Sequence, residues 1–195
     1  MHNSYIICGL AGAGKTEIGT RIASLLSRKY IDTGDIVYQV AQKLGYKVTH
    51  KDLLPQQISK NDLQTVYTTA TKEVQNQLLQ CPCILETHLV VYTNNSHIGT
   101  TQQYIAERNV KLMLMIDTPV EKILAHRKLD NKRGRFRCIS TAQELQQQRE
   151  HTLKEGMKLE RIMAIPFFVV KNVTTPQNCV DEIFAIFKQR GIYYE

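Results

Sequence analysis

The run Gly9-Leu10-Ala11-Gly12-Ala13-Gly14-Lys15-Thr16 constrains this chain more than any other feature. It satisfies G-x-x-x-x-G-K-[ST] in full, the pattern of a loop that wraps phosphate between a strand and a helix. Its surroundings agree. Tyr5-Ile6-Ile7-Cys8 is an apolar, strand-sized run before it, and Ile18, Ile22, Leu25 and Leu26 recur at helical spacing after it. Glycines at 9, 12 and 14 let the backbone turn tightly and bring N–H groups against an anion. The helix that follows aims the positive end of its dipole at the same point. Lys15 is expected to reach the β- and γ-phosphates, and the Thr16 hydroxyl to ligate Mg²⁺. The motif therefore predicts ATP binding by Gly9, Ala11, Gly12, Ala13, Gly14, Lys15 and Thr16, with Mg²⁺ as the cofactor.

Beyond the loop, strand-like and helix-like segments alternate. Tyr30-Ile31 reads as a second strand, ending in the turn Asp32-Thr33-Gly34-Asp35, with a helix from Ile36 to Leu44 stopped by Gly45. A mostly polar, mostly helical stretch covers 52–80. Cys83-Ile84-Leu85 is a buried strand that meets Glu86-Thr87-His88, and Thr93 to Ser96 with Gly99 reads as loop. Lys111 to Ile116 is the clearest strand, and Pro119 suits the first turn of the next helix. The basic stretch Lys128 to Arg137 reads as a loop by composition. A helix over 141–163 with Ser140 or Thr141 as N-cap, a strand over 167–170 and a helix over 179–187 complete the chain. Such alternation gives an α/β protein with a parallel central sheet covered on both faces.

The 195 residues suit one domain, and no run approaches the ~18 apolar residues that a membrane helix needs. The N-terminal residues carry no basic segment or cleavage site, so the expected location is cytoplasmic. Five scattered cysteines do not read as a disulfide framework, and Cys81-Pro82-Cys83 is too closely spaced for a zinc site. A net charge of +7 suits either nucleic acid or a protein that holds several phosphates at once. Much of that charge is concentrated in Lys128, Lys132, Arg133, Arg135 and Arg137.

The landmarks, taken in order, resemble the nucleoside monophosphate kinases, and most closely the archaeal type of adenylate kinase. Thr33-Gly34-Asp35 looks like the turn that leads to the helix flanking the acceptor nucleotide. Glu86-Thr87-His88 matches an acidic-Thr-His triplet, Asp117-Thr118 with Arg127 matches the following strand and helix, and Arg133 to Arg137 matches a basic lid. Tyr38 stands where the bacterial and eukaryotic enzymes carry an arginine, and Glu86-Thr87-His88 replaces their Asp-Gly-Phe-Pro-Arg. Both departures remove an arginine for the acceptor phosphate.

The resemblance implies a three-layer P-loop kinase fold, a helical acceptor-nucleotide insertion over about 36–80 and a short basic lid over about 128–140. It implies transfer of the γ-phosphoryl of MgATP to a nucleoside monophosphate, AMP first, and a trimer by analogy. Lys15, Arg127, Arg135, Arg137 and Arg149 are the expected catalytic cations, because guanidinium forks bind phosphate oxygens in pairs. A plain solvated basic loop is the other reading of the cluster. Thr33, Gly34, Asp35, Tyr38, Glu86 and His88 are the expected acceptor side, with an ordinary turn as the other reading of Thr33 to Asp35 and a structural role that of His88. Glu86 is expected to hold Mg²⁺ through water, with Asp117 as the alternative. Two rival functions stay open: a kinase for CMP or a small metabolite, and a kinase-like ATPase of RNA or ribosome assembly, for which the +7 charge would serve RNA.

Overall fold

The computed structural model describes residues 3–93, 97–99, 110–134, 136 and 140–192. Strand β1 (Ser4–Cys8) runs through the phosphate loop into helix α1 (Lys15–Leu25). There follow β2 (Lys29–Asp32), α2 (Thr33–Lys43), a 3-10 turn (Lys51–Leu53), α3 (Leu54–Gln57) and α4 (Lys60–Gln80). Then come β3 (Cys83–Glu86), the short strands β4 (Val90–Tyr92) and β5 (His97–Gly99), and β6 (Val110–Asp117). Helices α5 (Val120–Lys132) and α6 (Ala142–Met163), strand β7 (Phe167–Lys171) and helix α7 (Pro176–Gln189) finish the described chain.

Five strands form one sheet in the order β2-β3-β1-β6-β7, with every pairing parallel. Alternate side chains of a strand face opposite sides, and β1 shows how this makes three layers. Ile6 and Cys8 join Leu85, Met113 and Met115 under residues of α2, α4 and α6. Tyr5 and Ile7 join Ile84, Leu112 and Leu114 under α1 and α7. Because all strands run the same way, Cys8, Asp32, Glu86 and Asp117 finish along one edge of the sheet, where open α/β sheets bind ligands.

Four local expectations are corrected. Helix α2 begins at Thr33, not Ile36, because Asp32 acts as its N-cap and accepts the Gly34 N–H at 2.8 Å. Thr33-Gly34-Asp35 is thus a first helical turn. Lys128 to Lys132 are helical, not loop: lysine and arginine are good helix formers, and Lys132 in the last turn suits the negative end of the dipole. Gly99 lies in β5, whose antiparallel pairing with β4 had no sequence signal. Pro119 is the N-cap of α5, one residue ahead of the helix. The expected N-cap Thr141 is present, as a reciprocal capping box with Glu144.

Candidate active site

The phosphate loop is fastened from outside. Arg127 Nε donates to Ala11 O at 3.0 Å, His126 Nδ1 lies 2.9 Å from Gly12 O, and Ala13 O accepts from Thr118 Oγ1 at 2.8 Å and Asn172 Nδ2 at 3.0 Å. In a trans peptide the N–H opposes the carbonyl, so turning these carbonyls outward aims the Gly12 and Gly14 amides into the loop. Gly12 and Gly14 have φ of +89° and +87°, which a side chain strains to adopt. Gly9 is needed for space: a methyl there would lie 2.7 Å from the Ile116 carbonyl oxygen. Leu10 is buried against Val120, Ile123 and Leu145.

Lys15 is only 4% exposed, and its Nζ donates to Leu10 O at 3.1 Å and lies 3.7 Å from Glu86 Oε1. Thr16 Oγ1 donates to the same carboxylate oxygen at 3.3 Å. The other oxygen, Oε2, accepts a short hydrogen bond from Tyr30. Burial, reinforced by the Glu86 charge and that hydrogen bond, raises the Tyr30 phenol above its ordinary range and keeps it a donor. Cys8, the last residue of β1, is pushed up to about 12 by burial, against the opposing pull of Lys15.

The oxygen donors Thr16 and Glu86 suit a hard cation such as Mg²⁺. Among the described residues no group of three His, Cys, Asp or Glu side chains would hold a metal alone. A cation here would complete its shell with phosphate and water oxygens, so these residues fit a metal that arrives with a nucleotide. Asp117 is occupied otherwise: Arg149 binds it in a fork, Nε to Oδ1 at 2.5 Å and Nη2 to Oδ2 at 2.6 Å.

A cavity of about 480 Å³ opens along the sheet edge. At the loop end it is lined by Gly12, Gly14, Lys15, Thr16, Arg127 and Arg133. Asp32, Gly34, Lys51, Tyr67 and His88, from β2, the α2–α4 segment and the end of β3, line it as well. There Lys51 Nζ bridges Asp32 Oδ2 and Asp35 Oδ1, both at 2.6 Å. Burial opposes the Lys51 charge, but these bonds outweigh it and lift the ammonium above the ordinary lysine range.

The structure thus brings together the loop residues Ala11, Gly12, Gly14, Lys15 and Thr16 with Gly34, Glu86, His88 and Arg127 around one cavity. Gly9, Ala13, Thr33, Asp35, Tyr38 and Arg149 are not among its lining residues. Tyr38 instead donates to Val48 O at 3.2 Å, inside the helical wall, and Arg149 serves Asp117. Arg135 and Arg137 lie outside the described residues. Sequence reasoning missed Lys51, Tyr30, His126 and Asn172. Asp32 had a signal, a carboxylate at a strand end before a helix, but was read as part of a turn.

Comparison with known proteins follows the same lines. A family model described as AAA domain (AAA_17) matches residues 8–146, well over half of the chain. The thermosensitive gluconokinase of Escherichia coli (strain K12) is 39% identical over 57 residues, 27% of this chain. That match spans only 29% of the length of this curated relative. Shikimate kinase from Acinetobacter baumannii, solved with shikimate, superposes with a TM-score of 0.60 at 18% identity, covering 99% of this chain and 97% of the other. A gluconokinase from Sinorhizobium meliloti 1021 gives 0.53 at 12% identity, covering 96% and 93%. These likenesses establish the P-loop kinase fold. On the family match, the chain belongs to the AAA domain family.

Proposed function

We propose that this protein is an ATP-dependent kinase that phosphorylates a hydroxyl of a small polar metabolite. The observation that carries the reading is the Asp32–Lys51 pair, which lines the same cavity as the phosphate loop, with Asp32 beside Glu86 in the sheet. A carboxylate at a strand end can accept a hydroxyl proton, and a neighbouring ammonium can orient a polyhydroxylated or acidic acceptor. The stretch of identity with a gluconokinase, and the fold shared with shikimate kinases, support an acceptor of that size.

The acceptor hydroxyl oxygen bonds to the γ-phosphorus as the bond from that phosphorus to the β,γ-bridging oxygen breaks. ADP leaves with the electron pair, and the hydroxyl proton passes to Asp32. Lys15 and the loop amides hold the phosphates in line, which is most of what this reaction asks of a protein. Mg²⁺ bound with the nucleotide supplies neutralising charge, and Thr16 and Glu86 are the residues that would hold it. Arg127 keeps the loop in shape through Ala11 O. Arg133, Arg135 and Arg137 are the cations assigned to closing over the transferring group.

AMP is the less favoured acceptor. A phosphate dianion calls for a fork of unshared cations, whereas Lys51, with two of its three N–H groups on carboxylates, has one donor left for a hydroxyl or a single carboxylate. Arg133, which lines the same cavity, is the observation that keeps a phosphate-bearing acceptor as the second reading. ADP formation from MgATP with gluconate, shikimate, AMP, CMP, UMP, GMP or no acceptor decides between them. A hydroxy acid should accelerate it far above the acceptor-free rate. Acceleration by a nucleoside monophosphate alone would install the second reading, and a rate indifferent to every acceptor would refute both.

A further inference from the structure

The reading above uses Glu86 but leaves unexplained how its carboxylate is aimed. Glu86 is 7% exposed, and a buried carboxylate needs donors on its oxygens. Oε1 faces Thr16 and Lys15, where metal-bound phosphates would sit. Oε2 is taken by the Tyr30 hydroxyl, from the neighbouring strand. The sheet register makes this possible: β2 pairs with β3 so that Tyr30 lies beside Ile84 and Asp32 beside Glu86. Residues two apart on a strand share a face, so Tyr30, Ile84 and Glu86 all point toward α1.

A second, independent feature serves the same contact. Gly19 lies inside α1, where glycine weakens a helix relative to alanine. A methyl at position 19 would come within 2.9 Å of Tyr30 Cε2 and 3.5 Å of Ile7 Cδ1. The glycine therefore makes room for the tyrosine ring to lie beneath the helix and extend its hydroxyl to Glu86. A phenylalanine ring would fill the same space and lack only the donor.

We infer that Tyr30 is a positioning residue for the metal–nucleotide site, pinning Glu86 Oε2 so that Oε1 stays committed to the Thr16 side. This rests on the MgATP reading proposed above. Without the hydroxyl, the carboxylate is free to turn toward Lys15 and draw that ammonium away from the phosphates. The pairing is electrostatically favourable in a water-poor site, so the misdirected state is a real competitor.

The test is ATP affinity, measured by calorimetry with Mg²⁺ and separately in EDTA, on the wild type, Tyr30→Phe, Glu86→Gln and the double variant. Tyr30→Phe should keep the wild-type circular dichroism spectrum, and its loss of affinity should be larger for MgATP than for metal-free ATP. The strengthening that Mg²⁺ gives to ATP binding should fall about threefold to tenfold, the scale of the net contribution of one ordinary hydrogen bond. Glu86→Gln should remove that strengthening, and adding Tyr30→Phe to it should change nothing more, because the tyrosine acts through the carboxylate. Equal Mg²⁺ strengthening in wild type and Tyr30→Phe would overturn the inference. So would a further loss in the double variant. Failure of the wild type to bind ATP at all would instead defeat the nucleotide reading itself.

Discussion

The two ends of the cavity are built on opposite plans. The nucleotide end grips phosphate with backbone, and the backbone is held by distant side chains: Thr118, His126 and Asn172 reach the loop from 105, 114 and 159 residues away. The end that we assign to the acceptor presents side chains, held by near neighbours in sequence. Lys51 meets Asp32 and Asp35 across 19 and 16 residues, and Gln57 bonds Thr49 across eight. Backbone cradles read the triphosphate common to every ATP user. Side-chain pairs read one acceptor and can be exchanged without disturbing the sheet. On the proposed reading, acceptor specificity would be carried by α2–α4 and the residues between them.

Changes at the two ends should separate these roles, and the largest effect is expected at the loop. Lys15→Ala removes the buried cation held against the phosphate loop. Turnover should drop at least ~10²–10³-fold, the scale seen when one transition-state donor is lost, with the circular dichroism spectrum retained. A folded variant with normal turnover would contradict the assignment of this end. At the other end, Asp32→Asn keeps a good N-cap for α2 and removes the proton acceptor. Turnover should fall roughly 10²–10⁴-fold with ATP affinity unchanged, as expected for loss of a general base. A loss of ATP affinity in this variant would erase the division between the ends.

The same contrast explains what the sequence made legible. The loop was readable because eight contiguous residues carry its chemistry, and the strand before it and helix after it are periodic. The order of layers followed from alternation of Ile and Leu runs with helical spacing. Asn172 and Thr118 were not readable as loop supports, since their role exists only once β6 and β7 lie beside β1. Lys51 sits in a polar stretch with no pattern that distinguishes it from Lys47 or Lys60. Lys128 to Lys132 misled because charge was taken as a sign of loop, whereas basic residues are at home in the last turn of a helix. Thr33-Gly34-Asp35 misled because glycine suggested a turn. Here it lets the Asp32 carboxylate close on the helix, with a methyl at 34 lying 3.1 Å from Asp32 Oδ1.

A change away from both ends should sharpen the comparison by touching neither. Gly156 in α6 lies so close to β7 that a methyl would be 2.2 Å from Phe167 Cζ. Gly156→Ala should cost about 1–3 kcal/mol by overpacking, read from denaturant unfolding, with the Michaelis constants for both substrates preserved. A change in either constant would show that the sheet couples the two ends.

The smallest effect concerns Cys8, beneath the loop. An unfolded thiol ionises near 9.0, whereas the native one is pushed up to about 12. The native state therefore favours the protonated form. This contribution is complete below pH 9 and is lost as pH rises from about 9 toward 12, by at most ~1.4 kcal/mol per pH unit. Cys8→Ala should flatten that part of the stability profile relative to the wild type, whatever it does to stability at neutral pH. Parallel profiles would mean that this thiol ionises as readily in the fold as outside it.

The most direct test of the central claim, that the γ-phosphoryl goes to a hydroxyl chosen by the Asp32–Lys51 end, is the ³¹P NMR spectrum of the reaction. Incubated with MgATP and the hydroxy acid that most accelerates ADP formation, the wild type should yield ADP and an equal amount of a new phosphomonoester, with both absent in Asp32→Asn over the same interval. ADP with free inorganic phosphate in place of the monoester, or a nucleoside diphosphate formed from an added monophosphate, would contradict it.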